Sequence, residues 1–377
     1  MRYVKTISLA AILIGACSVV VTTGEDSIGS TQKASSMTMT SAALDMSSPL
    51  SSLAFGSCLK EKDDQSIWNT ISAENPDAFV FLGDNVYGDL YPDDPRFNLP
   101  EMPAMKASYE KLADSRAFAN FRAKTPLFVA WDDHDYGVND GGAEYPFKDR
   151  AKELFLDAWD IPTDDARRKR AGVYTSEMIG PAGQTVQLIL LDTRYFRGPL
   201  TETDEKNAPL KERYLQNFDP SSTMLGDDQW AWLDGELKKP ADLRILVSSI
   251  QVIAEGHGWE AWRTLPLQRQ KLYDLLKDNG ASNTIIISGD RHSGAFYERS
   301  DVTGARLLEM TTSSLNAPVS VWRARSGETR IEPGPYRDGD PQMEVNYGMM
   351  DIDWTKRQAK LRLVSPGLET RTKIFDF

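Results

Sequence analysis

Cysteine and histidine are scarce in this chain. Its 377 residues include 2 cysteines and 3 histidines, which excludes a disulfide-stapled scaffold and a histidine-rich metal cage. Positive charge is in deficit: 43 Lys and Arg stand against 55 Asp and Glu, a formal charge of −12. Non-specific nucleic-acid binding runs on phosphate neutralisation by basic side chains, so this balance argues against a nucleic-acid-binding surface. A phosphorylated substrate stays compatible with it, because a bound cation can supply the positive field locally. Beyond the amino terminus no apolar run has the length to span a bilayer, and no internal repeat is found. What is present is ordinary globular usage: 41% hydrophobic, 10% aromatic and 26% charged residues, enough for one large α/β domain or two smaller ones.

The amino terminus reads as a targeting segment. Arg2 and Lys5 precede an apolar run, Ile7–Ala16, that is too short for a membrane span and ends in Ile14-Gly15-Ala16-Cys17. That ending resembles a lipobox, with cleavage after residue 16 and a lipid anchor on Cys17. An ordinary secretory signal cut nearby is the alternative. Either way the chain is expected to be exported, to the cell envelope or beyond it. Residues 17–52, rich in Ser, Thr and Ala, are expected to form a flexible tether. The folded part is expected over 53–377.

From Leu53 onward short apolar runs ending in Gly, Ser or Asp predict buried strands at Leu53–Gly56, Ala78–Leu82, Leu127–Trp131, Val186–Leu191, Ile245–Ser248 and Thr284–Ser288. Helical spacing separates them: Phe147, Ala151, Leu154, Phe155 and Ala158 share a face, as do Trp230, Leu233 and Leu237, and Leu272, Leu275 and Leu276. The end of the chain predicts a hairpin, Glu344–Trp354 with Gln358–Leu363. The class is α/β with mixed strand directions.

Chemistry gathers where these strands end, the usual place for sites in open α/β sheets. The strand ends carry, in order, Cys58, Asp84 with Tyr87, Asp133 with His134, Asp192 with Arg194, Ser249 with Gln251, and Asp290 with His292. An aspartate after a strand is commonly a turn or cap residue, and Tyr87 or Cys58 could be core residues. Trp131-Asp132-Asp133-His134-Asp135 is different, because three carboxylates around one imidazole repel one another unless a cation or hydrogen bonds compensate. Hard oxygen donors with one thiol and two imidazoles point to a metal site.

The ordered set Gly-Ser-Cys (56–58), Gly-Asp-x-x-Tyr (83–87), Trp-Asp-Asp-His-Asp (131–135), Leu-Asp-Thr-Arg (191–194) and Gly-Asp-Arg-His (289–292) resembles the alkaline phosphatase D family of calcineurin-like metallophosphoesterases. The resemblance implies a four-layer αββα sandwich with two mixed β-sheets and a bimetallic centre hydrolysing phosphate esters. It implies that Cys58, Asp84, Tyr87 and His292 hold Fe3+, and that Asp84 bridges to a Ca2+-like ion held with Asp133 and Asp290. The segment Ser248-Ser249-Ile250-Gln251 lacks a histidine that several relatives place there, leaving Gln251 and His257 as candidates to complete the second site. Within this scheme Arg194 is the expected phosphate clamp, His134 the group that stabilises or protonates the leaving oxygen, and Asn139 an added hydrogen bond to phosphate. His257–Trp262 could wall the pocket or pack as a core loop. A phosphodiesterase or phospholipase on the same scaffold, and a non-catalytic calcium-binding surface lipoprotein, are the competing readings.

Overall fold

The computed structural model describes residues 36–90 and 93–377. Two six-stranded mixed sheets dominate it. The first runs, edge to edge, Arg371–Asp376, Gln358–Val364, Tyr347–Asp353, Ser52–Gly56, Ala78–Leu82 and Leu127–Ala130. The second runs Gly294–Arg299, Leu307–Thr312, Thr284–Ser288, Leu243–Ser248, Val186–Leu190 and Thr175–Ile179. The last three strands of the first sheet are mutually parallel, and so are the four central strands of the second.

Alternation along each strand explains the layering. Leu53 and Phe55 face one way and Ala54 the other; Ala78, Val80 and Leu82 alternate with Phe79 and Phe81. The first set meets Leu188, Leu190, Ile245, Val247, Ile285 and Ile287 of the second sheet, forming the core between the sheets. The opposite face of the first sheet packs on helices through Trp68, Phe118, Phe121 and Phe155. Ile189, Leu246 and Ile286 do the same for the second sheet, against Trp230, Leu233, Leu272 and Leu276. Three apolar interfaces make four layers, helix on sheet on sheet on helix. The expected sandwich and the carboxy-terminal hairpin are both present.

Residues 36–52, expected to belong to a flexible tether, pack against the domain instead. Met39 and Leu50 are buried, and the Met39 N–H donates to the Ala158 carbonyl at 2.7 Å. Apolar residues scattered through a Ser/Thr-rich stretch were enough to dock it. The expected leader, Cys17 and the rest of the tether lie outside the described residues. Among the described residues no helix is long and apolar enough to cross a membrane.

Candidate metal centre

The parallel strands of both sheets deliver their carboxyl ends to one cavity of about 1080 Å³, floored by Asp84, Asp133, Asp290 and His292, with His134 beside them. Tight turns set the side chains there. Cys58, Asp84, Asp290 and His292 take left-handed backbone, with φ of 58°, 53°, 70° and 52°. Such residues cost of order 1–3 kcal/mol each and persist where surrounding structure enforces them, typically at functional sites. Glycine makes the close approach possible: Gly83 sits at φ 106°, where a Cβ would collide with Asp132.

Asp84 is the hub. Its Oδ2 accepts a hydrogen bond from the Tyr87 hydroxyl at 3.0 Å and from the Cys58 thiol at 3.3 Å. Cys58, Asp84 and His292 offer ligand atoms within 4.8 Å of one another, and so do Asp84, Asp133 and His134. The carboxylate common to both groups stands where a bridging ligand would. Burial pushes the Cys58 thiol, the Tyr87 phenol and the Asp84 carboxyl well above their usual ranges, and the Asp84 charge adds to the effect on the other two. Protons therefore hold together a set of groups that becomes three anions when a cation replaces them. The donor chemistry fits a hard, highly charged ion at Cys58, Asp84, Tyr87 and His292, with an oxygen-seeking ion beside Asp133. Asp290 lines the cavity, with burial and then Asp132 raising its carboxyl, but it joins neither group of atoms within 4.8 Å.

The two cavity histidines are driven to opposite states. Burial pushes His292 down to about 4. Its Nδ1 bonds the Ala317 carbonyl at 2.5 Å, which fixes the tautomer with the proton on Nδ1 and leaves Nε2 as a neutral donor. Burial would lower His134 as well, but Asp133, Asp84 and Asp89 outweigh it and hold the imidazole well above its usual range. His134 Nδ1 meets both Asp89 oxygens, at 2.8 and 2.9 Å, and its ring lies 4.1 Å from the Tyr87 ring centroid. Asp133 is held by the N–H groups of His134 at 2.9 Å and Asp140 at 2.7 Å. Burial opposes its ionisation, yet His134 and Arg194 keep it below the ordinary carboxylate range.

Three expectations need correction. Arg194 is fully buried and does not line the cavity. Its guanidinium meets Asp132 and Glu260, each at 2.5 Å, because a buried fork is stable only when carboxylates neutralise it. It braces the site from behind rather than clamping phosphate. Gln251 and His257 are buried too: they bond each other at 3.1 Å, Gln251 also reaches Tyr297 and Thr311 at 3.0 Å, and neither lines the cavity. Of the aromatic loop, Trp259 lines the cavity, whereas Trp262 is core, donating to the Ser248 hydroxyl. Asn139 is exposed on the cavity lining. Three further residues belong to the site beyond those expected from the sequence: Asp89 on His134, and Lys60 and Arg291 on the cavity lining. For Asp89 the signal was available in the second Gly-Asp of Gly83–Asp89. Lys60, two residues after Cys58, had no neighbour in sequence to mark it.

A two-sheet sandwich whose parallel strands bring buried carboxylates, a thiol, a phenol and imidazoles to one cavity is built to hold metal ions. The model for PhoD-like phosphatases matches residues 53–363, and the chain belongs to that family. Alkaline phosphatase D of Bacillus subtilis (strain 168) is 24% identical to it over 286 residues, 65% of this chain and 46% of the relative. The chain thus spans about half the length of that relative. A solved structure of PhoD superposes with a TM-score of 0.67 at 16% identity, over 89% of this chain and 71% of the other.

Proposed function

We propose that the chain hydrolyses phosphate esters at a centre of the Fe3+/Ca2+ type. The observation that carries this is Asp84, whose one carboxylate joins the Cys58–His292 group to the Asp133–His134 group. Cations held there would bind phosphate oxygens and lower the pKa of a bound water. The chain's own residues do the rest. Cys58, Tyr87 and the neutral His292 would hold one cation with Asp84, and Asp133 and Asp290 would hold the other. Asp89, which is assigned to neither cation, favours the protonated imidazole of His134. With Nδ1 engaged by Asp89, Nε2 is left to protonate the leaving oxygen. Asn139 is the cavity-edge candidate for a hydrogen bond to the ester. Arg194 holds Asp132 in place beside Asp133 and touches no substrate.

The cavity of about 1080 Å³ is larger than a bare phosphate requires, which favours substrates with a substantial alcohol part, diesters included. A phospholipase belongs to that range. We further propose export, with Cys17 as the lipid anchor; Cys17→Ser should then move the protein from the membrane to the soluble exported fraction. The test of the main reading is metal analysis of native protein together with a phosphomonoester and a phosphodiester assay. Iron and calcium bound, with turnover of at least one ester, is the expected result. Bound calcium without iron and without turnover would favour a non-catalytic calcium-binding protein.

A further inference from the structure

One wall of the cavity is a short helix, Val319–Ser326, that hangs from the candidate centre. The Val319 N–H donates to the His292 carbonyl at 2.8 Å, and Ala317, just before the helix, takes the His292 ring bond. Eight residues at 1.5 Å each carry the helix about 12 Å outward. None of its residues is buried, and Val321 and Trp322 are 46% and 52% exposed.

The cavity's arginines fall into two sets. Arg213, Arg291 and Arg330 each meet a carboxylate: Asp140 at 3.0 Å, Glu332 at 3.1 Å and Glu212 at 2.9 Å. Arg323 and Arg325, both on the helix, form no ion pair among the described residues, although both line the cavity. Arg323 donates only to the Arg330 carbonyl, at 2.8 Å. The helix itself, Val-Ser-Val-Trp-Arg-Ala-Arg-Ser, carries no acid, in a chain whose net charge is −12. Trp322 and Arg325, three apart, lie on one side of it. A guanidinium without a carboxylate partner, Arg325, on the same side as an exposed indole suits an anion joined to an apolar or aromatic spacer, and Arg323 adds positive charge to the same cavity wall.

We propose that this helix is the subsite for the alcohol part of the ester, and that the substrate carries a second anionic group one to two helical turns, about 5–10 Å, from the reacting phosphate. The inference rests on the phosphate-ester reading and names its substrate class: an ester with the spacer against Trp322 and the second anion at Arg325, within the positive field of Arg323.

The test uses non-hydrolysable probes on the metal-loaded protein, so that binding is read independently of turnover. Calorimetry should show hexane-1,6-diyl bisphosphonate binding about 10-fold more tightly than hexylphosphonate, as a charge-assisted contact would provide, with the advantage shrinking as salt rises. The double variant Arg323→Gln, Arg325→Gln should erase that advantage, and Trp322→Ala should weaken both probes. Equal affinities in the unaltered protein, no binding of either probe, or an advantage that survives the double substitution would overturn the subsite. So would binding of phosphatidylglycerol vesicles without discrimination between the phosphonates, which would give the helix to a lipid surface. Turnover of p-nitrophenyl phosphate by the unaltered protein reports separately on whether the chain is a phosphatase at all.

Discussion

Asp132 and Asp133 are neighbours in sequence and both buried, yet they lead different lives. Asp132 points behind the cavity floor, where Arg194 at 2.5 Å and the Ser249 hydroxyl at 2.6 Å both engage its Oδ1. Asp135, three residues after Asp132, accepts the N–H groups of Asp132 at 3.1 Å and of Asn85, and closes a capping box on the short helix Asp133–Tyr136. Asp133 faces the cavity, held by N–H groups, by the Asp84 carboxyl and by the neighbouring imidazole. One turn thus sorts an acidic cluster into a structural layer, whose charges find partners inside the protein, and a working layer, whose charges await a cation. The difference lies in direction, not residue type.

Substitutions should separate the two layers. The largest effect belongs to Asp84→Asn, which removes the carboxylate shared by both donor groups. Its loss of turnover should exceed the ~10²–10⁴-fold that a general acid contributes, with both metals depleted on elemental analysis. The metal-free variant should melt higher than the metal-free unaltered protein near neutral pH, because folding no longer has to protonate a buried carboxyl that is ionised in the unfolded chain. A lower melting temperature would place Asp84 in the structural layer.

His134→Ala should lower kcat by about 10²–10⁴-fold with metal content unchanged, less for esters with good leaving groups. Asp89→Asn tests the orienting bond: a loss of about 10–100-fold is expected, with the alkaline limb of the pH–rate profile moving to lower pH. The sign follows from charge, since Asp89 is among the carboxylates that raise His134. An unmoved limb would detach Asp89 from the chemistry.

Arg194→Met should act on stability instead. Breaking a buried pair costs about 3–5 kcal/mol, read by denaturant melts, while KM of the folded fraction stays as it was. A raised KM with stability intact would restore Arg194 as a phosphate clamp. The smallest effect concerns Glu260, which burial pushes up to about 7 against the pull of Arg194 and Arg197. Its raised carboxyl means the folded state holds a proton that the unfolded chain has already released. Its contribution to stability therefore falls as pH rises from the ordinary carboxylate range to about 7. Glu260→Gln should flatten that part of the stability–pH curve, and an unchanged slope would assign it to other groups.

Much of this was legible in the sequence where hydrophobicity and direction coincide. Thr284–Ser288 reads as a strand because every residue is buried between layers, and the motif aspartates appear because tight turns at strand ends need them. The neighbouring strand Leu307–Thr312 was not legible, since Glu309 sits in its middle. That carboxylate is fully buried and satisfied by the N–H groups of Val252 and Ile253 and the Ser288 hydroxyl, partners that sequence cannot place beside it. Arg194 misled for the same reason: a guanidinium after a strand looks like a phosphate ligand until Glu260, 66 residues away, is seen to hold it. Residue types announced a metal site, and only packing told which charges were already spoken for.

Whether Cys58, Asp84, Tyr87 and His292 share one cation is read from the visible spectrum of purified protein during iron titration. The thiol and phenol now hydrogen-bonded to one Asp84 oxygen should ionise on ferric iron and give a charge-transfer band that saturates at one iron per chain. Tyr87→Phe should bleach or shift that band, and Cys58→Ser should weaken iron retention, with the fold intact by circular dichroism. A colourless iron-loaded protein, or a band indifferent to both substitutions, would return Cys58 and Tyr87 to the core and contradict the account.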